Sequence, residues 1–255
     1  MNIGFIGTGI ITTAVATGFC ESGLEDLHIT VSPRNKERAD ALKEKYPLIV
    51  SIAPDNQSVV DNSDWLFFAV LPSAADDIIR ALHIPQEKHF INLVATLSLK
   101  TAEEIIGKRK ILVDVVPLTF AANRFGPVIA YPPVPEVKNL LSHIGEVVEV
   151  EKPEQISVLR SITCMMSPYY MLLTTLTKWC KQNGLEESVA RHYVTAFTTA
   201  LSKKAATWDG ELEDLAREMT PGGFNWKSLT YLEKEQAIES WTEILSEILN
   251  EVKKK

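Results

Sequence analysis

Cysteine is scarce in this chain of 255 residues: Cys20, Cys164 and Cys180 are odd in number and show no ligand spacing. That argues against a disulfide framework and a cysteine metal centre, and the three read as small buried or half-buried thiols in a reducing compartment. Long apolar runs are missing too; none approaches the roughly 20 residues that a membrane span needs. Because the chain opens on a structural strand, no signal peptide is expected, and the expected location is the cytoplasm. Positive charge is in deficit, with 26 Lys and Arg against 33 Asp and Glu for a net charge of −7. That balance argues against a nucleic-acid surface. The run Lys253-Lys254-Lys255 reads as a solvated helix end, where cations suit the dipole. No His, Lys or Asp looks like an obligatory acid, and His28, His83 and His89 read as surface residues near strand edges. What remains is ordinary globular composition, 45% hydrophobic and 23% charged, in a chain long enough for one large domain or two modest ones.

Residues 1–14 read as a strand, a glycine turn and a helix. Asn2-Ile3-Gly4-Phe5-Ile6 is short and apolar, Gly7-Thr8-Gly9 is the turn, and residues 10–18 form a compact helix of small and apolar side chains. A nucleotide pyrophosphate needs close backbone approach and free N–H groups. A Gly-x-Gly turn opening a helix offers both, with Ile10 and Ile11 as the first helical donors. The third position of the G-x-G-x-x-G fingerprint is Thr12, so the match is incomplete. Its strand–turn–helix setting favours dinucleotide binding over an ordinary tight turn.

Strands at 28–32, 49–52, 65–70, 90–93, 111–116, 128–131 and 146–150 follow, with helices expected at Lys36–Lys45 and 74–82. Consecutive apolar residues, as in Trp65-Leu66-Phe67-Phe68-Ala69-Val70, fit a parallel sheet buried on both faces. From Pro153 onward the pattern is helical. Residues 154–182 carry Ile156, Leu159, Ile162, Met165, Met166, Tyr169, Leu172, Leu173, Leu176 and Trp179, too many for one amphipathic stripe. Pro168 is expected to kink that helix or end its first half near Ser167. Further helices are expected at 186–208, at 211–218, and from Gly223 nearly to the end. The expected architecture is α/β: an N-terminal Rossmann-type doubly wound sheet at 1–152 and an all-α C-terminal dimerisation domain at 153–255. A domain of that size cannot bury so apolar a helix alone, which predicts a homodimer through the C-terminal helices.

An NAD-binding unit ends its second strand in Asp or Glu, to hold the ribose 2′-hydroxyl. Here that strand runs into Ser32-Pro33-Arg34-Asn35-Lys36, without a carboxylate. Ser32, Arg34, Asn35 and Lys36 supply hydroxyl, amide and cationic donors suited to a 2′-phosphate, which points to NADP. The same residues also serve as a basic turn, with Asn35 capping the next helix.

Together these residues resemble the pyrroline-5-carboxylate reductase family, and the likeness runs almost end to end. Gly4-Phe5-Ile6-Gly7-Thr8-Gly9 is similar to that family's opening and Ser32-Pro33-Arg34-Asn35 to its NADP-phosphate turn. Phe68-Ala69-Val70-Leu71-Pro72 resembles its fourth-strand motif, and Gly145 to Glu151 resembles the last part of its nucleotide domain. Thr220-Pro221-Gly222-Gly223-Phe224-Asn225, with Leu229 and Leu232-Glu233 beyond, resembles its Ser-Pro-Gly-Gly-x-Thr loop and the helix after it. The resemblance implies NADP held by Gly7, Thr8, Gly9, Ile10, Ile11, Ser32, Arg34, Asn35, Lys36, Val70, Pro72 and Ala95. It implies a small carboxylate substrate at Pro221, Gly222 and Gly223, with Thr220 and Asn225 as the catalytic-site side chains, and no metal. The loop's own physics agrees, since a helix starting after Gly223 leaves N–H groups free for an anion. A plain helix connection capped by Asn225 would use the same residues.

Three departures stand out. Asn225 replaces the family's Thr, Asp114-Val115-Val116-Pro117-Leu118 replaces Arg-x-Met-Pro-Asn, and Met165-Met166-Ser167-Pro168-Tyr169-Tyr170 replaces Gly-Ser-Gly-Pro-Ala-Tyr. The expected activity is NADPH-dependent reduction of a small cyclic imine carboxylate, pyrroline-5-carboxylate to proline first. A related reductase of another imine or keto acid, and a non-catalytic NADP-binding regulatory protein, stay open as alternatives.

Overall fold

The computed structural model describes residues 1–253, so Lys254 and Lys255 of the expected basic tail lie outside the described residues. The chain divides into two compact units, one ending at Leu159 and the other beginning at Arg160.

The first unit opens with β1 (Asn2–Ile6), α1 (Ile10–Cys20), β2 (His28–Val31), α2 (Lys36–Lys45), β3 (Val50–Ile52) and α3 (Asn56–Asp61). It continues through β4 (Trp65–Phe68), α4 (Ala75–Arg80), β5 (His89–Asn92), α5 (Leu99–Ile106) and β6 (Leu112–Val116). It closes with β7 (Pro127–Tyr131), α6 (Pro135–Leu141) and β8 (Glu146–Glu149). The strands form one sheet in the order β3-β2-β1-β4-β5-β6-β7-β8. This is the doubly wound arrangement expected, with one correction: β7 runs antiparallel to β6, while the other neighbouring pairs are parallel. The connection from β6 to β7 carries no α-helix, only the short 3-10 segment Thr119–Asn123. A parallel return needs a longer crossover.

Side chains alternate across the strands, so the central strands β1, β4 and β5 each feed two cores. Ile3, Phe5, Ile29, Phe67 and Ile91 join Val15 and Phe19 of α1 on one face. Ile6, Leu66, Phe68 and Phe90 join Val59 and Ile79 on the other. Phe67 stacks on Phe5 at 4.9 Å and meets Phe19 edge-on at 5.8 Å, contacts that add about 0.5–1.5 kcal/mol each to the burial itself. Helices α3, α5 and α6 have no counterpart in the sequence expectation. All three are capped or started locally: Asp55 accepts from Ser58 N, Ser98 from Thr101 N, and Pro135 sits at the first position of α6.

The boundary between the units falls within α7 (Pro153–Thr163). The second unit continues with α8 (Met166–Gln182), α9 (Glu187–Ala206), α10 (Leu212–Arg217), α11 (Phe224–Lys234) and α12 (Glu239–Lys253). The helix break falls at Cys164–Met165 rather than near Ser167. Pro168 is the third residue of α8, where a missing N–H forfeits no intrahelical bond. The single last helix expected after Gly223 is two helices. Gln236 takes φ 55°, and Gln236 N and Ala237 N close back onto Glu233 O and Leu232 O at 3.0 Å each.

The thiols match the expectation in two cases of three: Cys20 and Cys180 are half-buried, but Cys164 is exposed. Burial pushes the Cys20 thiol up to about 12. His28 and His83 are exposed as expected. His89 is instead half-buried, 4.5 Å from the Trp65 ring, and burial holds its imidazole below the usual value. No helix among the described residues is long and apolar enough to cross a membrane.

Candidate functional site

The sheet's strand order reverses between β1 and β4, so the carboxyl ends of these strands open a crevice. Gly7 leaves β1 with φ +99°, and a Cβ there would stand 2.5 Å from the Ala69 carbonyl oxygen. Only glycine fits, for conformation and for space. Gly9 is different: a Cβ built there meets nothing within 4 Å, because it faces open space. Helix α1 begins directly after Gly9 with no side-chain cap. The N–H groups of Ile10 and Ile11 therefore stay without intrahelical acceptors, as an anion site requires.

Three hydroxyls fix the turn. Gly7 N donates to Ser32 Oγ at 2.9 Å, Thr8 Oγ1 donates to the Ser32 carbonyl at 2.7 Å, and Thr12 Oγ1 donates to the Gly7 carbonyl at 2.6 Å. The incomplete fingerprint is thus accounted for, since Thr12, 1% exposed, ties α1 back to the turn in place of a third glycine. Ser32 corrects the expectation. Expected among the phosphate donors, it is fully buried and committed to the turn; it shapes the crevice from beneath.

Arg34, Asn35 and Lys36 are exposed at the start of α2. Asn35 caps that helix by accepting from Arg38 N at 3.2 Å, and Lys36 pairs with Asp40 at 2.5 Å. Arg34 makes no ion pair among the described residues. These three residues and the Gly7-Thr8-Gly9 turn line one cleft of about 440 Å³, whose far wall is Ala69, Val70 and Leu71 at the end of β4. The structure thus brings together the turn, the basic segment and Val70. Pro72 begins an exposed 3-10 turn just past that wall, and Ala95 is exposed in the loop after β5. Ala69 and Leu71, part of the Phe68–Pro72 motif but not among the expected cofactor residues, complete that wall; their signal is position, directly beyond a strand paired with β1. The donor set fits a dinucleotide with a 2′-phosphate: open glycine, free helix N–H groups, and an unpaired guanidinium beside an ammonium.

In the helical unit, Thr220-Pro221-Gly222-Gly223 forms a tight turn before α11. Gly222 takes φ +76° and Gly223 N donates to the Thr220 carbonyl at 2.9 Å. Gly223 is the N-cap of α11 and Asn225 its second residue, so the capping alternative for Asn225 is set aside. The Gly223 N–H is spent on closing the turn. The donors left for an anion are the N–H groups of Phe224, Asn225 and Trp226, in the first turn of α11. Thr220 and Asn225 are both exposed.

Among the described residues no group of three or more His, Cys, Asp or Glu could hold a metal ion.

The family model described as NADP oxidoreductase, coenzyme F420-dependent, matches residues 2–96. Pyrroline-5-carboxylate reductase 2 of Bacillus subtilis is 25% identical, over 87% of this chain and 83% of that protein. The fold is shared with 1-pyrroline-5-carboxylate reductase of Streptococcus pyogenes, with a TM-score of 0.86 and 19% identity over 100% of this chain and 99% of the other. It is shared as well with the Plasmodium falciparum pyrroline carboxylate reductase solved with NADP bound, at a TM-score of 0.85 and 19% identity over 99% and 97%. The chain is thus similar to pyrroline-5-carboxylate reductases along nearly its whole length and shares their fold.

Proposed function

We propose that this chain is an NADPH-dependent reductase of a small cyclic imine carboxylate, with pyrroline-5-carboxylate, reduced to proline, as the first substrate. One observation carries the cofactor side of the reading: the glycine turn and the Arg34–Lys36 segment meet in a single cleft. The cofactor, when bound, supplies the hydride. Residues 1–152 are the nucleotide domain in this reading. The Ile10 and Ile11 N–H groups hold the pyrophosphate, Arg34 and Lys36 hold the 2′-phosphate, and Val70, Pro72 and Ala95 face the nicotinamide half. Residues 153–255 are the substrate and dimerisation domain. There the first-turn N–H groups of α11 and the Thr220 hydroxyl hold the carboxylate, while the Asn225 amide meets the imine nitrogen.

Oxidation of NADPH by pyrroline-5-carboxylate is the direct assay, and turnover is expected. Asn225→Thr is expected to keep or raise that turnover; loss of all activity on this change counts against the nitrogen contact. Asn225 also supports a second reading, a different cyclic imine or keto acid, because its side chain is longer than threonine and carries an amide. Turnover on another member of a substrate panel, and none on pyrroline-5-carboxylate, would select it. NADPH binding without turnover on any member would select a regulatory protein.

We further infer a homodimer through the C-terminal helices. Helices α8, α11 and α12 bury no residue, and Met171, Trp179, Tyr193 and Tyr231 are 62%, 62%, 64% and 63% exposed. So much exposed apolar surface supports a second copy packed against it. Light scattering at micromolar concentration is expected to give twice the chain mass of 28.4 kDa, and a stable monomer overturns the inference. The free cysteines suit the reducing cytoplasm.

A further inference from the structure

We infer that Asn92, oriented by Asp114, is a positioning residue that sets the loop after β5 at the nicotinamide end of the cofactor cleft. The inference rests on the dinucleotide reading of that cleft. Asn92 is the last residue of β5 and 2% exposed. It stands in register with Phe68, the last residue of β4, and Leu93 N donates to the Phe68 carbonyl at 2.9 Å. The loop from Leu93 onward therefore leaves the sheet beside Ala69 and Val70, which wall the cleft. The neighbouring strands run β2-β1-β4-β5. The 2′-phosphate residues follow β2, so a dinucleotide laid across the β1–β4 crevice brings its other end toward the loop after β5. Ala95 sits in that loop.

The Asn92 side chain is the hub around which the loop folds. Its Oδ1 accepts from Val94 N at 3.0 Å. Its Nδ2 lies 3.1 Å from the Val94 carbonyl, 2.7 Å from the Leu97 carbonyl and 2.6 Å from Asp114 Oδ1. An amide has two donor hydrogens and one acceptor oxygen, so no other side chain of this size satisfies both kinds of loop group. A carboxylate keeps the bond from Val94 N and loses the donors. A leucine leaves the buried loop groups without partners. Asp114, half-buried in the otherwise aliphatic β6, stands in register with Asn92. Its carboxylate accepts only from the NH₂ side, which fixes which way the amide faces. The aspartate that departs from the family's arginine thus has work within this chain.

The test compares two ligands on the full-length protein: NADPH, which spans the cleft, and adenosine 2′,5′-bisphosphate, which occupies only the 2′-phosphate end. Asn92→Asp preserves size, removes both donors and faces a second carboxylate. It is expected to weaken NADPH about tenfold, one hydrogen bond's worth, and to leave the bisphosphate within about twofold. Adding Asp114→Asn restores a donor between the two positions and is expected to recover part of the loss. Asp114→Asn alone, milder in its effect on folding, is expected to shift NADPH in the same direction by a smaller factor and to spare the bisphosphate. Equal weakening of both ligands, or unchanged NADPH binding in these variants, overturns the inference while the dinucleotide reading stands. A wild-type chain that binds neither ligand overturns both.

Discussion

Gly7→Ala is expected to abolish measurable NADPH binding and to lower the unfolding free energy by about 4 kcal/mol, the sum of a strained backbone and an overfilled contact. Each part has its own cause. At φ +99° an L side chain is strained wherever it sits, and the added methyl would press on the Ala69 carbonyl oxygen at 2.5 Å and its carbon at 2.8 Å. Both neighbours are backbone at the end of a central strand, so neither can swing aside as a side-chain tip could. Relief requires the turn to move away from β4, and that displaces the first N–H groups of α1. Denaturant unfolding monitored by circular dichroism gives the first quantity and a fluorescence titration with NADPH the second. Gly9→Ala is the informative control for stability, because its Cβ meets no protein atom within 4 Å. It is expected to melt within a few degrees of wild type and still lose affinity. If Gly7→Ala binds NADPH normally, the glycine turn is not where the cofactor lies.

Arg34→Asp is expected to invert the cofactor preference if Arg34 holds the 2′-phosphate as proposed. Losing the proposed charge-assisted contact to the 2′-phosphate and setting a carboxylate beside it is expected to weaken NADPH by about 3 kcal/mol, roughly a hundredfold in Kd. NADH has no phosphate there, and the new carboxylate can accept from its ribose hydroxyls, so its affinity is expected to hold or improve. Parallel titrations of the two cofactors give the comparison. Equal losses for both refute the assignment of Arg34 to the phosphate.

The sequence made the cleft legible because its parts are local. Gly7-Thr8-Gly9 is a strand–turn–helix legible within a dozen residues, and the helix Lys36–Lys45 has the bounds its sequence predicts because Asn35 marks its start. What stayed hidden depends on packing between distant segments. Nothing in Ser32-Pro33-Arg34 says that the serine turns inward; that follows from the close approach of β2 to the Gly7 turn. Asn92 reads as an ordinary polar residue ending a strand until β6 brings Asp114 beside it. Helices such as α3, six residues long, are too short for a 3.6-residue period to show. The antiparallel β7 could not be told from a parallel strand by composition, since both are short, apolar and buried. At the other end of the chain, Gln236 carries no helix-breaking signature, yet its left-handed conformation divides the last helix in two.

The hydroxyls of Thr8, Thr12 and Ser32 have a thermodynamic consequence for the cofactor. A glycine turn left to itself wanders among many conformations, and a ligand that needs one of them must freeze the rest, at about 1–2 kcal/mol for each backbone residue ordered. In this chain that ordering accompanies folding, before any ligand arrives. On the proposed reading the turn is a finished socket, so binding energy would not be drained into arranging it, and oxidised and reduced cofactor would exchange there without the turn rearranging.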